Sequence, residues 1–117
     1  MTMFRFETSE RVGVAVLKLH GSLDALSADA LKAEVVRLAE GRKSAKVVVD
    51  MGDLRLIDST GVGVLISLFK RMRTQGGAVL FAGLTAQPRE IFRLLRLERS
   101  LDLVETVEQA LTKSNSP

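Results

Sequence analysis

Residues 54–72 read LRLIDSTGVGVLISLFKRM. A largely apolar stretch, Leu54, Leu56 and Ile57 around Arg55, ends at an Asp-Ser-Thr-Gly turn, and a second apolar pattern with a different period follows at once. Leu65, Leu68, Phe69 and Met72 stand at i, i+3, i+4 and i+7, the spacing of one helix face. The segment before the turn reads as the end of a strand. Strand, tight turn and helix form the repeating unit of α/β sheets, and the turn is where such sheets place their functional loop. Here that turn carries two adjacent hydroxyls, Ser59 and Thr60.

The same alternation extends outward. AKVVVDM (residues 45–51) is a continuous apolar strand of the kind buried on both faces. Before it, MFRFET (residues 3–8) alternates Phe4 and Phe6 with polar neighbours, and VGVAVLKLHG (residues 12–21) forms a second strand ending at Gly21. A short turn around Ser9 to Arg11 would join them as a hairpin. Ser27 is the expected cap of a helix running to about Glu40, with Leu31, Val35 and Leu38 on one face and Gly41 just past its end. Downstream, Gly76 and Gly77 stop the second helix, and AVLFAG (residues 78–83) is another buried strand. QPREIFRLLRLER (residues 87–99) is a helix with Pro88 tolerated in its first turn. LDLVET (residues 101–106) and VEQALTK (residues 107–113) supply a short strand and a last short helix. The order β-β-α-β-α-β-α-β-α predicts an α/β fold, a mixed β-sheet of about five strands packed with about four helices. One domain is expected over residues 1–112, with a flexible tail over 113–117, since TKSNSP (residues 112–117) is polar and ends in proline.

Composition narrows the function. The chain has 117 residues, 46% of them hydrophobic and 26% charged, the balance of a globular domain with one modest core. There is no cysteine, which excludes disulfides, thiolate chemistry and cysteine zinc sites. The opening MTMFRFETSE has no apolar core of a signal peptide, and no apolar run approaches the roughly 20 residues of a membrane span, so a cytoplasmic protein without a membrane partner is expected. The net charge of +3 invites a nucleic-acid reading. The excess is small, however, and the aromatics are five Phe with no Trp or Tyr, a poor set of stacking platforms.

The junction admits two local readings. A helix start has unpaired N–H groups and a positive dipole end, so a hydroxyl there can cap the helix. The same groups favour a phosphate, and a phosphorylated hydroxyl would add about −1.5 to −2 charges at one exposed point. A nucleophilic serine is disfavoured because it needs an oriented base. The single histidine, His20, stands at a predicted strand end, and STGVG is not G-x-S-x-G. Gly61 and Gly63 alone are a weak phosphate-loop signal that close helix packing explains equally well. Asp24, Asp50, Asp53 and Asp58 each fall at a predicted turn or element end, where aspartate is favoured for its own hydrogen bonds, so no metal and no cofactor are expected.

Three stretches, HGSLDALSADALKAEV, VVVDMGDLRLIDSTGVGVL and GGAVLFAGLTAQPREIFRLLRLERSL, resemble the STAS family, and most closely its small bacterial anti-sigma-factor antagonists. The resemblance runs from about Phe4 to Leu111, and DSTGVG is its most specific piece. It implies a mixed sheet with helices. It implies a protein that binds an anti-sigma factor, usually a serine kinase of the GHKL type, and so releases a sigma factor. It implies phosphorylation of Ser59, the hydroxyl after the motif acid Asp58, reversed by a PP2C-type phosphatase. Asp24 in the GSLD turn, Asp58, Thr60 and Gly61 become the expected partner-binding residues, and the chain is expected to be a monomer or weak dimer. A STAS scaffold of a stressosome-like complex, or an accessory subunit of a lipid-transport complex, is the alternative. Finally, Arg89, Arg93 and Arg96 at i, i+4 and i+7 predict a basic stripe on the third helix, either a solvated face or a surface that steers an acidic partner.

Overall fold

The computed structural model describes residues 3–41 and 45–113. Five strands form one sheet: β1 (Arg5–Arg11), β2 (Val14–Leu23), β3 (Lys46–Ile57), β4 (Ala78–Ala82) and β5 (Asp102–Val104), lying side by side in chain order. β1 runs antiparallel to β2, and the remaining pairs are parallel. Helices α1 (Ala28–Gly41), α2 (Ser59–Thr74), α3 (Ala86–Leu94) and α4 (Val107–Thr112) complete the expected order, with one added 3₁₀ turn at Leu97–Arg99.

Alternation along the strands divides the core. Ala15, Leu17 and Leu19 of β2, with Val47 and Val49 of β3, face α1, α2 and α3 in the larger cluster. Val16, Val48, Leu80 and Ala82 face the other way, onto Ala110 of α4. The predicted helix faces point inward: Leu31, Val35 and Leu38 in α1 and Leu65, Leu68 and Met72 in α2 are buried, while Phe69 is only half-buried against the larger cluster. On the second face, the Lys46 ammonium holds α4 in place. Its Nζ donates to the carbonyls of Ala110 (2.8 Å), Leu111 (3.2 Å) and Lys113 (2.7 Å), the last of these in the expected tail, whose residues 114–117 lie outside the described residues. At the free flank of the sheet, α1 is tied to β1 by Glu34. Its carboxylate accepts Thr8 Oγ1–H (2.5 Å) and a two-point Arg37 guanidinium (2.8 and 2.5 Å). Hydrogen bonding to Arg37 holds the Glu34 pKa below its ordinary value of 4.5.

Several local expectations are corrected. The hairpin turn lies at Val12–Gly13, not Ser9–Arg11. Both residues have positive φ (54° and 77°), the geometry of a tight two-residue hairpin turn, and valine gives no sequence signal for it. β2 continues past Gly21 to Leu23 through register shifts against β3, with Gly21 at φ 86° accommodating the irregularity. Asp50 and Asp53 therefore lie within β3 rather than at element ends. The third helix is shorter than predicted. It ends at Leu94, and Arg96 adopts a left-handed conformation (φ 59°) that turns the chain. The turn brings Leu97 against the core and buries Leu101.

β3 pairs with β4 only as far as Asp50, yet stays paired with β2 to Ile57. The two strands thus project together beyond the rest of the sheet, and the DSTG junction sits at the tip of that projection.

Candidate functional site

At the tip, Asp58 rather than either hydroxyl caps α2. Its backbone is extended (φ −106°, ψ −177°), and Oδ1 accepts the Gly61 N–H at 2.9 Å. Its second oxygen accepts the Ala25 N–H at 3.2 Å, its own N–H donates to Leu23 O at 3.1 Å, and its carbonyl accepts Val62 N–H at 2.9 Å. One aspartate therefore joins the end of β2, the loop after it and the start of α2. This corrects the reading of Ser59 or Thr60 as the cap. Both are exposed, and neither hydroxyl has a hydrogen-bond partner among the described residues.

The loop beside the tip is built the same way. Asp24 Oδ1 accepts the N–H groups of Leu26 (3.0 Å) and Ser27 (3.2 Å), while its carbonyl accepts Ala28 N–H (2.9 Å). Ser27 Oγ in return accepts Asp24 N–H (3.0 Å). Asp24 is thus the true cap of the turn leading into α1, and Ser27 is its reciprocal partner three residues on. The loop's apex residue, Leu26, is 94% exposed. Gly61, expected on a partner surface, is instead buried: a Cβ there would sit 2.8 Å from Leu23 Cγ and its carbonyl and 2.9 Å from Ile57 Cγ1. Its absence lets α2 start directly on the strand ends. Across the tip, the Gln87 amide of α3 grips Ile57 from both sides, its Oε1 accepting Ile57 N–H and its Nε2 donating to Ile57 O, each at 2.9 Å.

This arrangement presents a hydroxyl, and among the described residues no base is hydrogen-bonded to it. A family model described as STAS domain matches residues 5–110. The chain belongs to the STAS domain family. It is 30% identical over 87 residues to the anti-sigma-B factor antagonist of Bacillus subtilis, a match covering 74% of this chain and 78% of that protein. The crystal structure of an anti-sigma factor antagonist from Mycobacterium paratuberculosis superposes with a TM-score of 0.85 at 21% identity, covering 94% of this chain and 92% of that one. The phosphorylated form of the Bacillus cell fate determinant SpoIIAA superposes at 0.68, also with 21% identity, covering 93% and 96%.

Other candidates do not assemble on this STAS domain. His20 lies inside β2 rather than at its end, between Glu7 (Nε2 to Oε1, 3.6 Å) and Asp53 (Nδ1 to Oδ2, 3.5 Å). Those partners are on the neighbouring strands, and no hydrogen bond joins His20 to Ser59. The four aspartates are each engaged in separate local bonds. Asp24 and Asp58 act as caps, Asp50 accepts Gly52 N–H (3.1 Å), and Asp53 pairs with Lys18 (3.5 Å). Among the described residues no group of three or more His, Cys, Asp or Glu could hold a metal ion. The basic stripe is broken as well. Arg93 pairs with Glu90 (2.8 Å), Arg89 Nη1 reaches the Leu84 carbonyl (3.4 Å), and Arg96 sits beyond the helix end.

Sequence reasoning missed two features of the tip. Gln87 gave no signal, because a clamp on a distant backbone has no local pattern. The exposed Leu26 and Leu56 were readable only as apolar residues, not as uncovered ones.

Proposed function

We propose that this chain is an anti-sigma-factor antagonist: its unphosphorylated form binds an anti-sigma factor that is itself a GHKL-type serine kinase, releasing a sigma factor, and phosphorylation of Ser59 ends the binding. One observation carries the reading. Asp58 supplies the side-chain cap of α2 by accepting the Gly61 N–H, and the Ser59 hydroxyl is exposed with no hydrogen-bond partner among the described residues. The relatives support it. The B. subtilis protein is named for antagonism of an anti-sigma factor, and SpoIIAA has a phosphorylated form.

The chemistry fits a switch. A phosphate at Ser59 adds about −1.5 to −2 charges next to the Asp58 carboxylate. A partner face that covers the tip must then bury that charge or repel it, and about 3 kcal/mol of lost affinity lowers binding roughly a hundredfold. Asp24 and Asp58 hold the surface in shape, Thr60 borders it, and a PP2C-type phosphatase restores the binding form. The chain acts in the cytoplasm as a monomer or weak dimer, by binding and not by catalysis.

The test incubates the chain with ATP and each candidate GHKL-type anti-sigma kinase of the source organism. Intact-mass and peptide mass spectrometry then compare wild type with Ser59→Ala. One phosphate on Ser59, absent from the variant, with binding only by the unphosphorylated form, is expected. Binding without phosphate transfer would make the chain a STAS scaffold. Neither binding nor transfer would sink the antagonist reading.

A further inference from the structure

Two glycines stand in the first turns of α2, and the fold accounts for only one. Gly61 is excluded from carrying a side chain by Leu23 and Ile57. Gly63 is exposed and helical, and a Cβ there would meet nothing within 4 Å. A glycine inside a helix is less stable than alanine, because more backbone freedom is lost on folding. Among the described residues no close contact requires a glycine at that position. What an exposed helical glycine offers is room for another backbone to approach closely.

The room opens into a groove of about 390 Å³ between α1 and α2. Buried Val35 and Val64 and half-buried Val36 form its floor. Lys32 and Arg71 are its charged lining residues, both exposed, and no carboxylate lines it. Lys32 reaches only the 93% exposed Asp29 at 3.6 Å, a weak surface pair, and Arg71 Nε reaches Ser67 Oγ at 3.4 Å. α2 adds Lys70 and Arg73 and has no acidic residue over Ser59–Thr74. The groove therefore has an apolar base and two cations, Lys32 and Arg71, in its lining.

We propose that this groove receives an acidic segment of the anti-sigma partner. The segment lays its backbone against Gly63, sets an apolar side chain over Val35 and Val64, and turns carboxylates toward Lys32 and Arg71. The inference rests on the antagonist reading and adds where the partner sits and what chemistry it brings. It also explains the sign of the switch. Ser59 precedes Gly63 by one helical turn on the same face. A phosphate there stands at the mouth of the groove, with Thr60 among its lining residues, and meets an acidic occupant with like charge.

The probe is the purified GHKL-type kinase that binds the wild-type chain, titrated by calorimetry against full-length variants. Gly63→Ala is expected to raise the thermal unfolding midpoint and to weaken binding by about tenfold or more. Opposite signs separate a blocked contact from a damaged fold. Lys32→Glu combined with Arg71→Glu is expected to weaken binding by about tenfold or more and to flatten its salt dependence. Gly63→Ala binding as tightly as wild type, or unfolding at a lower temperature, overturns the groove proposal while the Ser59 switch stands. If no kinase binds the wild-type chain, the antagonist reading falls and takes the occupant with it.

Discussion

Ser27 and Ser59 both stand close behind a capping aspartate at the start of a helix, yet one is consumed and the other is free. Ser27 lies three residues after Asp24, close enough for its hydroxyl to accept the N–H of Asp24 (3.0 Å). Ser59 is the residue immediately after Asp58, where a side chain leaves the helix end and points to solvent. The N–H of Asp58, which a later hydroxyl could have accepted from, already donates to Leu23 O on β2 (3.1 Å). The strand end thus relieves the second serine of the duty the first performs. The Ser59 hydroxyl is left exposed because Leu23 O and the Asp58 carboxylate already make the bonds that a capping serine would make, not because of any feature of its own.

The contrast can be broken at Asp58. Asp58→Ala removes the acceptor for both Gly61 and Ala25, and is expected to cost about 2 kcal/mol in urea denaturation. It should also speed hydrogen exchange in the loop at residues 24–27. A stable variant would mean that β2–β3 pairing and the Gln87 clamp hold the tip without Asp58. The contrast sharpens at the serines themselves. Ser27→Ala should cost about 1 kcal/mol and leave phosphorylation intact, whereas Ser59→Ala should stay within about 0.5 kcal/mol of wild type and abolish it. Equal stabilities for the two variants would refute the division of labour. The smallest effect belongs to α1's other anchor. Glu34→Gln should lower the unfolding midpoint slightly at neutral pH. Because the folded Glu34 pKa lies below 4.5, its contribution is present above that pH and lost as pH falls through the folded value. The gap between variant and wild type should therefore close on acidification; a gap that persists in acid would assign it to packing.

Where the sequence carried a period, it foretold the fold. The apolar faces of α1 and α2 and the runs of β3 and β4 are sites where burial enforces spacing, and each lies where that spacing placed it. The misses sit where backbone conformation overrides side-chain pattern. Val12 occupies a positive φ that valine rarely adopts, and Arg96 ends α3 inside an otherwise helical LLRLER. At the site, DSTG marked the right place, but the sequence could not tell which of three adjacent side chains caps the helix. That depends on Asp58 lying within reach of Leu23 and Ala25, residues more than thirty positions away. Gln87 was invisible for the same reason.

That glutamine has a mechanical consequence. β2 and β3 project past β4 like a beam fixed at one end, and an unsupported beam would let its tip wander. The Gln87 amide props the far end at Ile57, one residue before Asp58. The tip is thereby stiffened before any visitor arrives, so little ordering entropy remains to be lost when a partner docks.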